Sequence, residues 1–193
     1  GTTIHCQAPL IRGVNDAPAI WADLWQRQVQ LGSIPYYMFI ERDTGPRNYF
    51  EVPLARALDI YNQAYRQVSG LARTVRGPSM SATPGKVMID GVAQIGDEKV
   101  FVLKFIQGRN ADWAGQVFFA KFDPRATWLD DLTPALGESR FFYERPRDSE
   151  PHEQLTLLWQ NNDCLPQDDI SKSQPAIQSI TNKTSRTFVD ESV

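Results

Sequence analysis

The sequence predicts an α/β fold in which a parallel sheet is extended by antiparallel strands. An apolar run, a helical segment and a second apolar run follow one another within the first 40 residues. Such strand–helix–strand units with short connections build parallel sheets. After residue 85, short apolar runs alternate with turn residues, which is typical of antiparallel hairpins. From residue 145 onward polar residues dominate, so we expect an extended or disordered tail there.

The first strand–helix–strand unit is predicted from the spacing of its apolar residues. Residues 4–11 are a short apolar run and favour a buried strand. Asn15 and Asp16 offer an N-cap to the helical segment that follows, and Gly32 is a suitable end for it. The aromatic run at 35–40 is too short for a helix and predicts the second strand.

The second unit continues the same pattern. The polar segment 41–49 is a loop at the exit of a strand, where ligands sit in parallel α/β folds. A helix is predicted over 53–68, because its apolar residues recur at helical spacing and Ser69-Gly70 follow it. Three further strands, separated by turn residues, are predicted at 87–91, 99–106 and 117–122.

Composition and charge narrow the classes of function. The chain has 193 residues, 41% hydrophobic and 22% charged, which is typical of a soluble globular protein. A net charge of −3 gives no cationic field for nucleic acid, and no apolar run approaches the roughly 20 residues of a membrane span. We expect a cytoplasmic or organelle-matrix location, no nucleic-acid partner and no membrane span. Cys6 and Cys164 lie far apart, so no metal site is predicted and both thiols are expected to be reduced.

Lys86 is the first candidate for chemistry. It follows Pro84-Gly85 at the predicted start of a strand, where the stem of a lysine can be held in one pose. Desolvation lowers the pKa of an amine and makes it nucleophilic toward an aldehyde, as a Schiff base requires. The alternative is an exposed lysine that begins a hairpin strand, and spacing alone favours that alternative.

Two arginines and a turn are candidates for anion binding. Arg73 and Arg76 flank a predicted turn at Gly77-Pro78-Ser79. A guanidinium group matches the geometry of a phosphate or a carboxylate. Ordinary surface arginines remain the simpler interpretation.

Polar residues at the predicted strand exits are the remaining candidates. Arg42 and Asp43 follow Glu41 after the second strand, where they could clamp a substrate or form a solvated loop. Gln7 faces one side of the first strand, and its amide could hydrogen-bond a nucleoside. Neither signal is specific by itself.

Four motifs in order resemble the lysine 2,3-aminomutase family. Residues 7–16 end in Arg-Gly-Val-Asn-Asp, similar to the family's Leu-Leu-Arg-Gly-Val-Asn-Asp. Pro35-Tyr36-Tyr37 and the later Tyr49-Phe50 match the family's Pro-Tyr-Tyr strand and its following His-Phe. Ser69-Gly70, and Lys86 after a Pro-Gly, are similar to the family's Ser-Gly and its cofactor lysine. The separations between these motifs agree without gaps.

The resemblance implies a radical-SAM enzyme in a partial (βα) TIM-like barrel. Such enzymes cleave S-adenosylmethionine at a 4Fe-4S cluster and move an amino group held on pyridoxal phosphate. Carried over to this sequence, Lys86 would be catalytic and hold pyridoxal phosphate as a Schiff base, and Gln7 would contact S-adenosylmethionine. Residues 1–90 would be the last βα units of the barrel, 91–144 a β-rich extension, and 145–193 the polar tail.

The chain departs from the family's pattern in its cluster motif. The family's Cys-x3-Cys-x2-Cys is absent, and holding the cluster requires three thiolates. The resemblance therefore implies the C-terminal half only, inactive alone. S-adenosylmethionine and the cluster are then expected from a missing N-terminal half or from partner subunits, and we expect an oligomer.

The substrate positions also differ. The two aspartates that grip the distal ammonium of lysine are replaced by Arg42 and Ser79, with Asp43 next to the first. Because a cation repels an ammonium group, an amino acid other than lysine, such as glutamate, is expected as the substrate.

Three interpretations stay open. The chain is the C-terminal portion of an aminomutase, or a degenerate barrel fragment serving as a non-catalytic structural subunit, or a stand-alone pyridoxal-phosphate binder. The missing cluster motif and the polar tail favour the second interpretation. Lys86 and Gln7 in their family contexts favour the first. An isolated half-barrel would expose strand edges, so we also expect the chain to depend on a partner for stability.

Overall fold

The helices and strands follow the predicted order, with one additional strand. In the computed structural model, residues 1–42 and 49–144 are described, and they fall within the first of two units, Gly1–Ser149. The predicted tail at 145–193 lies outside the described residues. The elements are β1 (His5–Leu10), α1 (Pro18–Gln30), β2 (Ile34–Ile40), α2 (Leu54–Gln67), β3 (Arg76–Ala82), β4 (Gly85–Ile95), β5 (Glu98–Gly108) and β6 (Val117–Lys121).

One six-stranded sheet joins the strands in chain order. β1, β2 and β3 are parallel to one another, and β3 to β6 pair antiparallel. The predicted α/β class with appended hairpins is therefore confirmed. Within the described residues β1 and β6 are the two edges and the sheet is not closed, so the barrel is not confirmed. The predicted division at residue 90 stays a prediction, and β4 extends across it.

A central strand occupies the segment that the sequence predicted as a turn. The predicted turn at Gly77-Pro78-Ser79 was wrong, because these residues lie within β3. Gly-Pro usually marks a turn, but here it lies where the pairing of β2 with β3 shifts register. At Gly77, with φ +145°, a Cβ would lie 2.6 Å from the carbonyl oxygen of Met38. The two strands therefore approach closely only because glycine has no side chain.

The start of α1 also differs from the prediction. Ala17 occupies the N-cap position before Pro18, and no side chain caps the helix. Asn15 instead closes the turn after β1. Its Oδ1 accepts a hydrogen bond from the Ile11 amide at 2.7 Å, and its Nδ2 donates to the Pro9 carbonyl at 2.9 Å. The predicted N-cap was therefore wrong: the Asn15 side chain hydrogen-bonds the backbone before the helix instead of the first turn of the helix.

The hydrophobic core lies between the two helices and one face of the sheet. Trp21 and Trp25 of α1 are 0% and 1% exposed, and Ile60 of α2 is fully buried. The indole rings of the two tryptophans lie 5.8 Å apart. The strand residues that face this core include Leu10, Met38, Ile40, Met80, Val87, Ile89, Leu103 and Phe105. No helix in the described part of the chain is long and apolar enough to cross a membrane.

Tyr61 joins α2 to the segment before β3 and makes stability depend on pH. Its hydroxyl donates a hydrogen bond to the Val75 carbonyl at 2.8 Å. Burial raises the pKa of this phenol above its ordinary value, and nearby Tyr65 and Asp90 add to the shift. Burial likewise raises the pKa of Tyr143. The pKa of each phenol is higher in the folded chain than in the unfolded chain, so the unfolded chain releases the proton first as pH rises. The contribution of these phenols to the free energy of unfolding is therefore complete below pH about 10 and is lost above it.

We predict that the free energy of unfolding falls as pH rises through about 10, and that Tyr61→Phe makes this fall less steep. At pH 7 the same substitution should cost about 1 kcal/mol, because a hydrogen bond is lost. Urea unfolding at a series of pH values measures both effects. Tyr49→Phe is the control, since Tyr49 is 68% exposed. An unchanged slope in Tyr61→Phe would contradict the assignment.

Candidate functional site

The sheet face opposite the helices carries the predicted site residues and is called the distal face below. Side chains alternate between the two faces along a strand. Since Leu10, Met38, Met80 and Val87 face the core, their neighbours in each strand point the other way. Strand pairing then places these residues on the distal face: Gln7 and Pro9 of β1, Tyr37 and Phe39 of β2, Ser79 and Ser81 of β3, and Lys86 and Met88 of β4.

The amine of Lys86 lies over two aromatic rings on the distal face. Its Nζ is 4.2 Å from the ring centroid of Tyr37 and 5.2 Å from that of Phe39. The two rings stack with their centroids 5.1 Å apart. Lys86 pairs with Ser81, near the carboxyl end of β3, and its half-buried side chain reaches back over the sheet to β2. Lys86 therefore begins a hairpin strand and its amine contacts two rings, while its role in chemistry stays a prediction.

The backbone of Lys86 is fixed by the turn before it. Gly85 has φ +153°, and a Cβ at this position would lie 2.2 Å from the carbonyl oxygen of Gln107. The Arg109 amide donates a hydrogen bond to the Pro84 carbonyl at 3.0 Å, which ties the turn to the end of β5. Glycine thus allows β4 to begin directly against β5, and this contact sets the direction in which Lys86 leaves the sheet.

Gln7 and Ser79 lie on the same face as Lys86 but differ in accessibility. Gln7 is exposed and pairs with Tyr37. Ser79 is 0% exposed, and its hydroxyl donates to the Met38 carbonyl at 3.4 Å. Gln7 lies on β1 and Lys86 on β4, with β2 and β3 between them, and the Lys86 amine reaches the ring of Tyr37, the residue that pairs with Gln7.

The charged residues after β2 include Glu41, which the sequence indicated only as a neighbour of Arg42 and Asp43. Arg42 is exposed and directly follows β2, whereas Asp43 lies outside the described residues. The Oε2 atom of Glu41 is buried and has no hydrogen-bond partner among the described residues. A buried carboxylate oxygen costs free energy unless a partner satisfies it. Glu41 is two residues after Phe39, and residues at this spacing in a strand point to the same face. This spacing is the sequence signal that could have identified Glu41 as a candidate site residue.

The two arginines before and within β3 have separate environments. The Nε atom of Arg73 donates to the carbonyls of Tyr65 and Val68 at 3.1 and 3.0 Å, so this side chain binds the end of α2. Arg76 is exposed and its guanidinium lies 5.3 Å from the ring centroid of Tyr36. For Arg73 the simpler interpretation, an ordinary surface arginine, therefore agrees with the structure.

The residues of this chain do not fit an iron–sulfur cluster. A 4Fe-4S cluster of this type requires three thiolates, and the sequence has two cysteines. Cys6 is a free thiol, and Cys164 lies outside the described residues. Within residues 1–42 and 49–144, no group of three or more His, Cys, Asp or Glu side chains could hold a metal ion.

Comparison with known proteins supports the relationship that the motifs predict. A protein of Aquifex aeolicus named "Putative L-lysine 2,3-aminomutase" is 31% identical to this chain over 138 residues. The chain is a distant relative of this protein. The alignment covers 72% of the chain and 36% of the relative, so the chain matches about a third of the length of that protein. No protein-family model matches the chain. An aminomutase-like relationship is therefore confirmed, while the C-terminal position within the family's barrel stays a prediction.

Proposed function

We propose that the chain is the C-terminal portion of a radical-SAM, pyridoxal-phosphate-dependent amino acid 2,3-aminomutase. The observation that carries this proposal is the Lys86 amine, held over the distal face near the carboxyl end of a parallel strand. In βα barrels the helices cover the outside, and the active site lies at the carboxyl ends of the strands. The distal face, opposite α1 and α2, would then line the interior of a partial barrel.

Lys86 and the rings beside it fit pyridoxal phosphate. Nζ of Lys86 would hold the cofactor, as the nucleophile for its aldehyde. Tyr37 and Phe39 give the amine a flat apolar surface that limits the access of water. When bound, pyridoxal phosphate supplies the conjugated ring to which the migrating amino group is attached.

The remaining cofactors would be held mainly by another part of the enzyme. We propose that Gln7 contacts S-adenosylmethionine, since its amide is exposed on the distal face. The 4Fe-4S cluster would come from an N-terminal portion or from partner subunits in an oligomer. β1 is an edge of the sheet among the described residues. An edge strand has unpaired backbone groups that another strand can bind, so the missing part of the barrel would pair with β1, and this chain alone would be inactive.

The substrate in this proposal is an amino acid, and its side chain need not be that of lysine. Arg42 at the exit of β2 would attract a carboxylate and repel an ammonium group. Ser79, opposite Phe39, is at the second of the two substrate positions in the family pattern, and Asp43 is adjacent to the first. Glutamate is therefore proposed in preference to lysine.

The covalent role of Lys86 is tested by reduction with borohydride. After incubation with pyridoxal phosphate, the wild-type chain should carry one reduced adduct, which peptide mass spectrometry places at Lys86. Lys86→Ala should reduce this adduct to background. Lys104→Ala is the matched control and should keep the adduct. Lys104 lies on the neighbouring strand β5, where it pairs with Met88 of β4, and it is also half-buried.

Two results would count against the proposal. Equal labelling of several lysines would mean that Lys86 has no special reactivity. A folded chain that forms no adduct would favour the alternative function, a non-catalytic structural subunit of a larger assembly.

A further inference from the structure

Tyr37 has an environment that differs from that of the other distal-face residues. It lies in the middle of β2 and is 5% exposed. Its ring contacts those of Phe39 and Tyr36, with centroid distances of 5.1 and 4.2 Å. A buried ring packed against two others cannot follow a mobile side chain. The Lys86 amine therefore has to leave Tyr37 when it moves.

We propose that Tyr37 is a positioning residue that restrains Lys86 and slows its reaction with aldehydes. This inference rests on the proposed function only in so far as pyridoxal phosphate is the aldehyde that Lys86 binds. Among the described residues, the rings of Tyr37 and Phe39 are the partners of this amine. An ammonium group over an aromatic ring is attracted by the negative face of the ring. This attraction favours the state with the contact over the state without it by a factor between about two and about thirty.

The chemistry of condensation gives the direction of the effect. The ammonium group first releases a proton to solvent, and the Nζ lone pair then attacks the aldehyde carbon. A carbon–nitrogen bond forms, and the carbonyl oxygen leaves as water. The attacking neutral amine is attracted less by the ring than the ammonium group is. The contact with Tyr37 therefore stabilises the unreacted ammonium group, and its removal should make Lys86 more reactive.

Formaldehyde with cyanoborohydride provides a probe that does not depend on cofactor binding. It methylates lysine amines, and mass spectrometry gives the rate at Lys86 relative to Lys104 in the same molecule. Tyr37→Leu should raise this relative rate several-fold, up to about thirtyfold. Phe39→Leu should raise it less, since Nζ lies 5.2 Å from that ring and 4.2 Å from Tyr37.

Two further variants separate the ring from the general structure. Tyr37→Phe keeps the ring and should restore the wild-type rate. Phe122→Leu should leave the rate unchanged, because the Phe122 ring lies under Lys99 and not under Lys86. A thermal melt confirms that each variant is folded, and Tyr37→Met replaces Tyr37→Leu if the latter is not.

The outcomes distinguish this inference from the proposed function. An unchanged or lower methylation rate in folded Tyr37→Leu overturns the restraint by Tyr37, and so does an equal increase in Tyr37→Phe. Failure of pyridoxal phosphate to label any variant contradicts the proposed function. The formaldehyde rates still decide the role of Tyr37 in that case, because they require no cofactor site.

Discussion

Phe105→Ala should lower the free energy of unfolding by about 3–5 kcal/mol. Phe105 of β5 is fully buried in a layer of aromatic rings. Its ring centroid lies 5.7 Å from Trp113, 5.4 Å from Phe118, 5.6 Å from Phe142 and 5.5 Å from Tyr143. Truncation removes the buried ring and leaves a cavity that these large, mutually packed neighbours fill poorly. Guanidinium unfolding followed by tryptophan fluorescence measures the change.

Val117→Ala is the matched control for this prediction. Val117 lies on the adjacent strand β6 and is 49% exposed, so its truncation should change the free energy of unfolding by about 0.5 kcal/mol or less. A loss below about 1 kcal/mol in Phe105→Ala would mean that the aromatic layer unfolds separately from the rest of the sheet. The prediction therefore also tests whether the antiparallel strands and the parallel strands form one cooperative unit.

The parts of the fold that could be predicted are those governed by local periodicity. α1 and α2 have apolar residues at helical spacing, and β2 is a short aromatic run, so their positions follow from the sequence. β3 could not be predicted in this way. Its Gly77-Pro78 pair has the local chemistry of a turn, and only the pairing with β2 and β4 makes the segment a strand. Tertiary pairing overrides local preference at this position.

The same missing strand explains what the sequence could not show about the site. With residues 77–79 taken as a turn, Lys86 is expected at the mouth of a strand and near no particular side chain. The structure places β3 between β2 and β4, so the Lys86 side chain spans the width of one strand to reach Tyr37. Such a contact depends on the register of three strands at once. Lys86 could be proposed as a candidate from its motif, whereas its aromatic partners could not be predicted.

Gly85→Ala should be the most damaging single substitution near the candidate site. A Cβ at this position would lie 2.2 Å from the Gln107 carbonyl oxygen and 2.8 Å from the Gly108 Cα, and both are backbone atoms. The φ of +153° is also one that residues with a side chain rarely adopt. Since neither strand can yield without breaking its pairing, we expect a loss of about 2–4 kcal/mol in the free energy of unfolding.

Gly91→Ala on the same strand is the matched control, because it makes the same glycine-to-alanine change at a position where the added Cβ has space. Gly91 lies in β4, and a Cβ there would meet nothing within 4 Å. This variant should stay within about 0.5 kcal/mol of the wild type. If Gly85→Ala is folded, the displaced start of β4 should also move Lys86 relative to Tyr37 and change its methylation rate, whereas Gly91→Ala should not. Equal stability of the two variants would mean that the turn at residues 83–84 relaxes easily. The backbone before Lys86 would then not determine the direction of its amine toward the rings of Tyr37 and Phe39.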